Sequence, residues 1–134
     1  MPAFPWTPAG PLDPSREYLV LATRFTVTHR RHLPGVLRAT QELWQGIGTS
    51  AGLAGHTARA DLVRGTLSTL SVWSDADTLR AFVRGGAHTA VVDATRHRMT
   101  ASTFASWSEL GATLPPGWAT ADRALAEASK PQGS

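Results

Sequence analysis

The chain has 134 residues, of which 42% are hydrophobic and 17% are charged, and its formal net charge is +3. This length and composition suit one globular domain with a sizeable core and exclude wholesale disorder. The sequence contains no cysteine, which excludes disulfides, thiolate nucleophiles and cysteine-ligated metal sites. A cytoplasmic location is compatible with that composition, and we expect it.

The distribution of charge and hydropathy argues against two classes of partner. The basic residues are scattered arginines, with Lys130 as the only lysine, whereas a nucleic-acid binder would cluster them on one face. No run approaches the roughly 18 apolar residues that a membrane span needs. The start of the chain also lacks the pattern of a secretion signal. We therefore expect neither a nucleic-acid partner nor a membrane partner.

Residues 1–16 form a proline-rich arm. Polyproline II has three residues per turn, so prolines at every third position would line one edge of it. Phe4 and Trp6 could dock this arm on a partner subunit, although a loose tail is the favoured interpretation. The prolines concerned are Pro2, Pro5, Pro8, Pro11 and Pro14.

A strand and a helix are predicted next. Residues 17–28 alternate with period two and carry apolar groups on both faces, so we expect both faces to be covered. Residues 33–47 follow the spacing of an amphipathic helix, with Pro34 in its first turn. The buried stripe of that helix contains Leu33, Val36, Leu37, Thr40, Leu43, Trp44 and Ile47.

Two further strands precede a second helix. Residues 52–63 predict a weaker strand, Gly65 a turn, and residues 66–73 a strand rich in β-branched and aromatic residues. Ser74 or Asp75 can then cap a helix. The apolar stripe of this helix contains Leu79, Phe82 and Val83.

The last part of the chain contains three predicted elements. After Gly85-Gly86, a second helical piece presents His88 and neighbouring apolar residues on one face. Residues 100–108 predict a final strand that ends near Trp107. A short helix over residues 121–129 follows a proline-rich loop, with Thr120 as its cap.

The order β-α-β-β-α-β predicts an α+β, ferredoxin-like domain with a four-stranded antiparallel sheet. Residues 17–110 would form this domain, between the arm and a C-terminal loop, helix and tail over residues 111–134. Both helices would lie on one face of the sheet and leave the other face bare. Because a bare apolar face must be covered, we expect a homodimer.

One stretch resembles a known superfamily. Residues 71–82, Ser-Val-Trp-Ser-Asp-Ala-Asp-Thr-Leu-Arg-Ala-Phe, and then Gly85-Gly86-Ala87-His88 resemble the antibiotic biosynthesis monooxygenases, which are dimeric α+β barrels. In that group a strand ends in tryptophan, an acidic helix start follows, and an Ala-His or similar pair comes later. The run from Ala81 to Trp107 is most similar to the spheroidene monooxygenase group. The resemblance covers roughly residues 17–108.

This resemblance implies one of two cofactor states. Some members oxidise polycyclic phenols with no cofactor. Others bind and degrade haem with a helix histidine as iron ligand, a tryptophan that distorts the macrocycle and an asparagine on the first strand. By position His88 matches the histidine and Trp73 the tryptophan, whereas Thr23 stands near the asparagine position. The expected cofactor is therefore none or haem, with His88 as the possible iron ligand.

Three residues are candidates for catalysis. His88 could ligate haem iron or act as a general base, or it could be a core histidine bonded to a carbonyl. Trp73 could stack on a flat substrate or pack in the core. Arg24 could hold an anionic group of the substrate or form a salt bridge across the dimer.

Four residues are candidates for substrate binding: Thr23, His56, Phe82 and Trp107. His56 is also a candidate second base, with an exposed surface histidine as the alternative. No His-x-x-x-His pair or carboxylate cluster stands out, so we expect no protein-bound structural metal.

These features favour a small monooxygenase-type enzyme that acts on an apolar, aromatic or polyketide-like secondary metabolite. The same fold also serves cofactor-independent isomerases and cyclases, which need only acid–base groups. A third hypothesis is a non-enzymatic dimer that binds a small ligand or a partner protein through the proline-rich arm. Fold alone does not choose among them.

Overall fold

The protein, seen in a computed structural model, is described over residues 6–8, 11–47, 52–85, 89–90, 92–93 and 96–128. No helix in these ranges is long and apolar enough to cross a membrane. The elements in chain order are β1 (Thr7–Pro8), β2 (Glu17–Val27), α1 (Leu33–Ile47), β3 (Leu53–Asp61), β4 (Thr66–Trp73), α2 (Ala76–Arg84), β5 (Met99–Leu110) and α3 (Trp118–Ala128).

The strands form one antiparallel sheet with the order β1-β3-β4-β2-β5. Without the two-residue strand β1, this is the strand order of a β-α-β-β-α-β ferredoxin-like sheet. The predicted α+β fold class is therefore confirmed. The fifth strand was not predicted, and it comes from the proline-rich arm.

The first two helices begin where the sequence places them. Helix α1 has the predicted bounds. Helix α2 is capped by Asp75, whose carboxylate accepts a hydrogen bond of 2.8 Å from the backbone N–H of Thr78. The Thr78 hydroxyl contacts the backbone N–H of Asp75 in return, which completes a capping box.

Helix α3 begins at Trp118, so the prediction that Thr120 caps a helix starting at residue 121 is wrong. The backbone N–H of Ala121 donates to the carbonyl of Gly117 at 3.2 Å. Helical hydrogen bonding thus starts directly after the proline pair, and Thr120 lies inside the first turn. A threonine caps a helix only when it directly precedes the first helical residue, and Thr120 already lies within the helix.

Both faces of the sheet are covered within one chain. Residues at odd positions of β2 face α1 and α2, whereas those at even positions, such as Val20 and Ala22, lie under α3. Ala121 and Leu125 of α3 are buried against that second face. The expectation of a bare sheet face is therefore wrong. The homodimer stays a prediction, but a bare face no longer supports it.

Part of the arm is packed onto the sheet. Thr7 and Pro8 pair with His56 and Gly55 of β3, so the loose-tail interpretation does not hold for these residues. The indole of Trp6 lies directly on Gly55, where a Cβ atom would come within 2.1 Å of the ring. A glycine is therefore required at position 55 for the arm to dock.

We expect Gly55→Ala to displace the arm and to lower the free energy of unfolding by about 1–3 kcal/mol, as overpacking usually does. Urea unfolding measures the free energy, and hydrogen exchange at Thr7 reports whether β1 has opened. Gly117→Ala is the control, because nothing lies within 4 Å of a Cβ atom at that position. Equal stability of the two variants would contradict the close packing of Trp6.

Candidate active site

A cavity of about 450 Å³ lies between the sheet and the helices α1 and α2. This volume falls in the range of sites that hold a drug-sized molecule. Most of its wall is apolar and is formed by both helices and the three strands β2, β4 and β5. The lining residues are Leu21, Thr23, Phe25, Val36, Thr40, Leu43, Thr69, Ser71, Leu79, Phe82, Val83, Val92, Met99 and Phe104.

A short strip of hydroxyl groups interrupts this apolar wall on the sheet side. Thr23 and Thr69 are cross-strand neighbours, and their hydroxyls form a buried hydrogen bond. Ser71 lies next along β4 on the same face, and its oxygen accepts a hydrogen bond of 2.9 Å from the Trp73 indole N–H. We call Thr23, Thr69 and Ser71 the hydroxyl strip.

Trp73 lies behind the wall rather than on it. Its side chain is fully buried in a cluster with Leu53 and the ring of Phe82, whose centroid is 4.8 Å away. It contacts two residues that do line the cavity, Ser71 through a hydrogen bond and Phe82 through its ring. In this structure Trp73 supports the wall, and its predicted stacking on substrate stays a prediction.

Two aromatic side chains stand at the side of the cavity next to β5. Phe25 and Phe104 meet edge to face with their centroids 6.1 Å apart. Phe104 is 55% exposed although it lines the cavity. This large apolar side chain therefore lies at the mouth, where a ligand entering from solvent would contact it.

The structure brings some predicted site residues to the cavity. Thr23 and Phe82 line it. His56 lies on the same face of the sheet, paired in register with Ser71. The His56 side chain is half-buried, and this burial lowers the pKa of its imidazole below the ordinary value. A neutral imidazole at pH 7 is suited to accept a proton.

Arg24 and Trp107 lie on the opposite face, because Arg24 follows the cavity-lining Thr23 by one position and Trp107 follows the cavity-lining Phe104 by three. The Arg24 guanidinium donates to Asp122 of α3 at 2.7 Å, an ion pair within the chain. The Trp107 indole N–H donates to the Glu109 carboxylate at 2.8 Å, and its ring packs beside α3. The structure therefore does not bring these two residues to the cavity.

His88 lies outside the described residues, so its predicted roles as general base or iron ligand stay predictions. Val92, from the helical piece that follows it, lines the cavity. No group of three or more histidine, aspartate or glutamate side chains that could hold a metal ion occurs among residues whose placement is described.

Several lining residues were not predicted as site residues, although their sequence pattern was recognised. Val36, Thr40 and Leu43 belong to the predicted stripe of α1, and Leu21 and Phe25 share the period-two face with Thr23. A stripe indicates which residues turn inward, but it does not show whether they meet other side chains or leave a space. Thr69 and Ser71 could be predicted as lining residues once β4 is paired with β2, because that pairing places them opposite Thr23 and Leu21.

Comparison with solved structures bears out the fold. SnoaB, a cofactor-independent oxygenase of Streptomyces nogalater, has a TM-score of 0.59 and 20% identity, covering 75% of this chain and 99% of that one. A Deinococcus radiodurans protein assigned as an antibiotic biosynthesis monooxygenase has a TM-score of 0.59 and 13% identity, covering 66% of this chain and 89% of that one. A Lactobacillus acidophilus protein assigned as a monooxygenase has a TM-score of 0.63 and 7% identity, covering 79% of this chain and 51% of that one. This chain therefore spans about half the length of that protein.

Comparison by sequence identifies neither a family nor a relative of this chain. No protein-family model matches the chain, and no curated protein matches it. At identities between 7% and 20% the structural likeness establishes the fold alone. The resemblance seen around Trp73 is thereby confirmed at that level: the chain has the fold of the antibiotic biosynthesis monooxygenase-like structures.

We expect Ser71→Ala to lower the free energy of unfolding by about 1–3 kcal/mol, because it leaves the buried Trp73 N–H without its acceptor. Urea denaturation measures this loss. Ser106→Ala is the matched control, since Ser106 is exposed and flanks the same residue, Leu21, from the other side. A loss no greater than in the control would show that the hydrogen bond is unimportant.

The lowered pKa of His56 predicts a pH dependence of stability. Below about pH 6.5 the unfolded chain takes up a proton at this histidine while the folded protein does so only at lower pH. Stability is therefore lost as the pH falls from about 7 to 5. His56→Gln should reduce the slope of the free energy of unfolding against pH over this interval, measured by urea titrations, and an unchanged slope would contradict the assignment.

Proposed function

We propose that this protein is a cofactor-independent monooxygenase that oxidises a flat, apolar, aromatic or polyketide-like small molecule, in the cytoplasm. One observation carries the proposal: a cavity of about 450 Å³ whose wall is apolar except for Thr40 of α1 and, on the sheet, three hydroxyl-bearing residues in a row. The likeness in fold to SnoaB, which is called a cofactor-independent oxygenase, supports it.

The hydroxyl strip defines how the substrate is oriented. One threonine hydroxyl donates to the other, which leaves one proton of the pair for another acceptor. The Ser71 oxygen already accepts from Trp73, so its own proton is also available. Two O–H donors then face the ring system and bind a carbonyl or phenolic oxygen of the substrate.

The same two donors favour the reactive form of the substrate. When a base removes a proton from an activated carbon that is conjugated with a carbonyl through an aromatic ring, negative charge builds up on the carbonyl oxygen. Hydrogen-bond donors fixed at that oxygen stabilise this charge, and they act strongly inside an apolar cavity. Thr23, Thr69 and Ser71 thus serve to promote carbanion formation.

Molecular oxygen completes the reaction. The carbanion adds O₂ and a proton to give a hydroperoxide, which loses water and leaves a new carbonyl group. The substrate methylene and O₂ are thereby converted to carbonyl and water, with no external reductant. We propose His88 as the base, because a neutral imidazole can accept this proton, and His56 is the second candidate because it flanks the strip at Ser71.

Haem does not fit the part of the lining that is described. Met99 is the only usual axial ligand type among these residues, and no arginine, lysine or histidine in this set could pair with the haem carboxylates. We therefore derive no step through haem, and that alternative depends on His88 alone.

Isomerisation or cyclisation is the second candidate function. Without oxygen, a histidine base could remove a proton to form an enolate and return it at another carbon, while the hydroxyl strip stabilises the enolate oxygen. Turnover of the same substrate under nitrogen would favour this candidate, whereas strict dependence on O₂ would favour the oxygenase.

We also propose that the protein acts as a homodimer joined at β5. This strand is the last of the sheet and presents exposed apolar side chains, Phe104 at 55% and Leu110 at 46% exposure. Long exposed edge strands with apolar side chains are normally covered. Light scattering should give twice the monomer mass, and a monomer would contradict this.

The activity test uses a dihydroxyanthrone, a polycyclic phenol with an activated methylene, and measures oxygen uptake with an electrode. We expect Thr23→Val and Thr69→Val each to lower kcat/KM about tenfold, the size of one lost hydrogen bond. Thr103→Val is the control, because Thr103 pairs with Arg24 on the opposite face. No uptake by the wild type, or equal loss in the control, would count against the proposal.

The two histidines and the cofactor are tested separately. If His88 is the base, His88→Gln should lower kcat by about a hundredfold or more, as loss of a general base does. His56→Gln should then retain most of the activity. A protein that turns over only after addition of haemin, with an absorption spectrum that His88→Ala abolishes, would replace the cofactor-free mechanism with the haem alternative.

A further inference from the structure

A second cavity, of about 260 Å³, lies on the opposite face of the sheet, beside α3. Its lining is charged and polar, unlike that of the candidate active site. It contains three arginines, two aspartates and two hydroxyl residues: Arg24, Arg59, Arg64, Asp61, Asp122, Thr66 and Ser68. With every arginine and aspartate ionised, the lining has a net charge of +1.

The sheet places two of these arginines on either side of one serine. Arg24 of β2 and Arg59 of β3 both pair in register with Ser68 of β4, so the three side chains form a row. Both arginine side chains are partly or mostly withdrawn from solvent, with 31% of Arg24 and 15% of Arg59 exposed. Two like charges at such proximity repel each other, and an anion beside both offsets this repulsion.

Asp122 of α3 supplies only part of the negative charge that would balance the two arginines. Its Oδ1 atom accepts from Arg24 at 2.7 Å and from Arg59 at 2.5 Å. Burial alone would raise the pKa of Asp122, but the hydrogen bonds from Arg59 and Arg24 outweigh burial and hold the pKa below its ordinary value. The carboxylate is thus ionised, yet one negative charge faces two positive ones.

The donors exceed the acceptors as well. Each guanidinium carries five N–H groups. The described contacts use two of those on Arg24, to Ser68 and Asp122, and one on Arg59, to Asp122. The face of Arg59 is covered by the Trp118 ring at 4.5 Å, which fixes the orientation of its guanidinium. Ser68 accepts from Arg24 Nε and keeps its own proton to donate.

We propose that this second cavity binds a small molecule through a carboxylate or phosphate group, held by Arg24, Arg59 and the Ser68 hydroxyl. Guanidinium forks match both oxyanions in geometry, and hydrogen bonds between opposite charges are stronger than neutral ones. The volume is below that of usual drug-sized sites, so it suits a compact ligand rather than a polycyclic one. This proposal does not depend on the function of the apolar cavity.

The probes are inorganic phosphate and malonate, titrated into the full chain by calorimetry at constant ionic strength with chloride as the balancing anion. Binding of either ion supports the proposal, and the tighter of the two identifies the group that the site prefers. We expect Arg59→Gln and Arg24→Gln to weaken that binding at least tenfold. Arg80→Gln is the control, because Arg80 is an exposed arginine paired with Asp77 on α2.

Two further variants separate an anion site from a cluster that only holds α3 in place. Asp122→Asn removes the competing carboxylate, so an anion site should bind the probe more tightly by a factor of at least three. Arg64→Gln removes an arginine that is 81% exposed and should weaken binding about twofold without disturbing the fold. Circular dichroism verifies that each variant is folded.

Three outcomes would overturn the proposal. The first is that neither phosphate nor malonate binds the wild type. The second is that the heats of wild type, Arg59→Gln and Arg80→Gln are the same, which indicates a general salt effect. The third is that folded Asp122→Asn binds the probe more weakly than the wild type, as expected of a purely structural cluster.

Discussion

The two central strands, β2 and β4, are covered on both faces, and every functional feature depends on this arrangement. Successive residues of a strand point to opposite sides, so neighbours in sequence lie in unlike surroundings. Thr23 faces the apolar cavity, whereas Arg24 beside it reaches the charged cavity under α3. The cross-strand partners follow the same rule, with Thr69 opposite Thr23 and Ser68 opposite Arg24. A shift of one residue in this register would exchange the two environments.

Much of the fold could be predicted because its elements have strong local signals. The bounds of α1 and β4, and the cap at Asp75, follow from spacing and side-chain chemistry within a few residues. Helix α3 was harder, since its covering of the second face depends on contacts between residues about a hundred positions apart, such as Arg24 and Asp122. Periodicity along one segment carries no information on such pairs.

The candidate site was predicted only in part for a related reason. The sequence predicts Thr23 and Phe82 as site residues, and both lie on the cavity wall. It predicts Arg24 and Trp107 for the same site, but both lie across the sheet. The alternation of side chains along a strand already separates both residues from the cavity, since Arg24 is one position from Thr23 and Trp107 is three positions from Phe104. The hydroxyl strip cannot be recognised until the pairing of β2 with β4 is known, because only that pairing places Thr69 and Ser71 beside Thr23.

The two borders of the sheet differ in a way that matters for self-association. On one side the docking of Trp6 on Gly55 holds Thr7 and Pro8 against β3, and proline has no N–H to offer a further strand. On the other side β5, which is twelve residues long, is the last strand of the sheet in the described part of the chain. Strand addition is therefore blocked at Gly55 and His56, where the arm already occupies the edge of β3, whereas β5 offers a much longer edge for association.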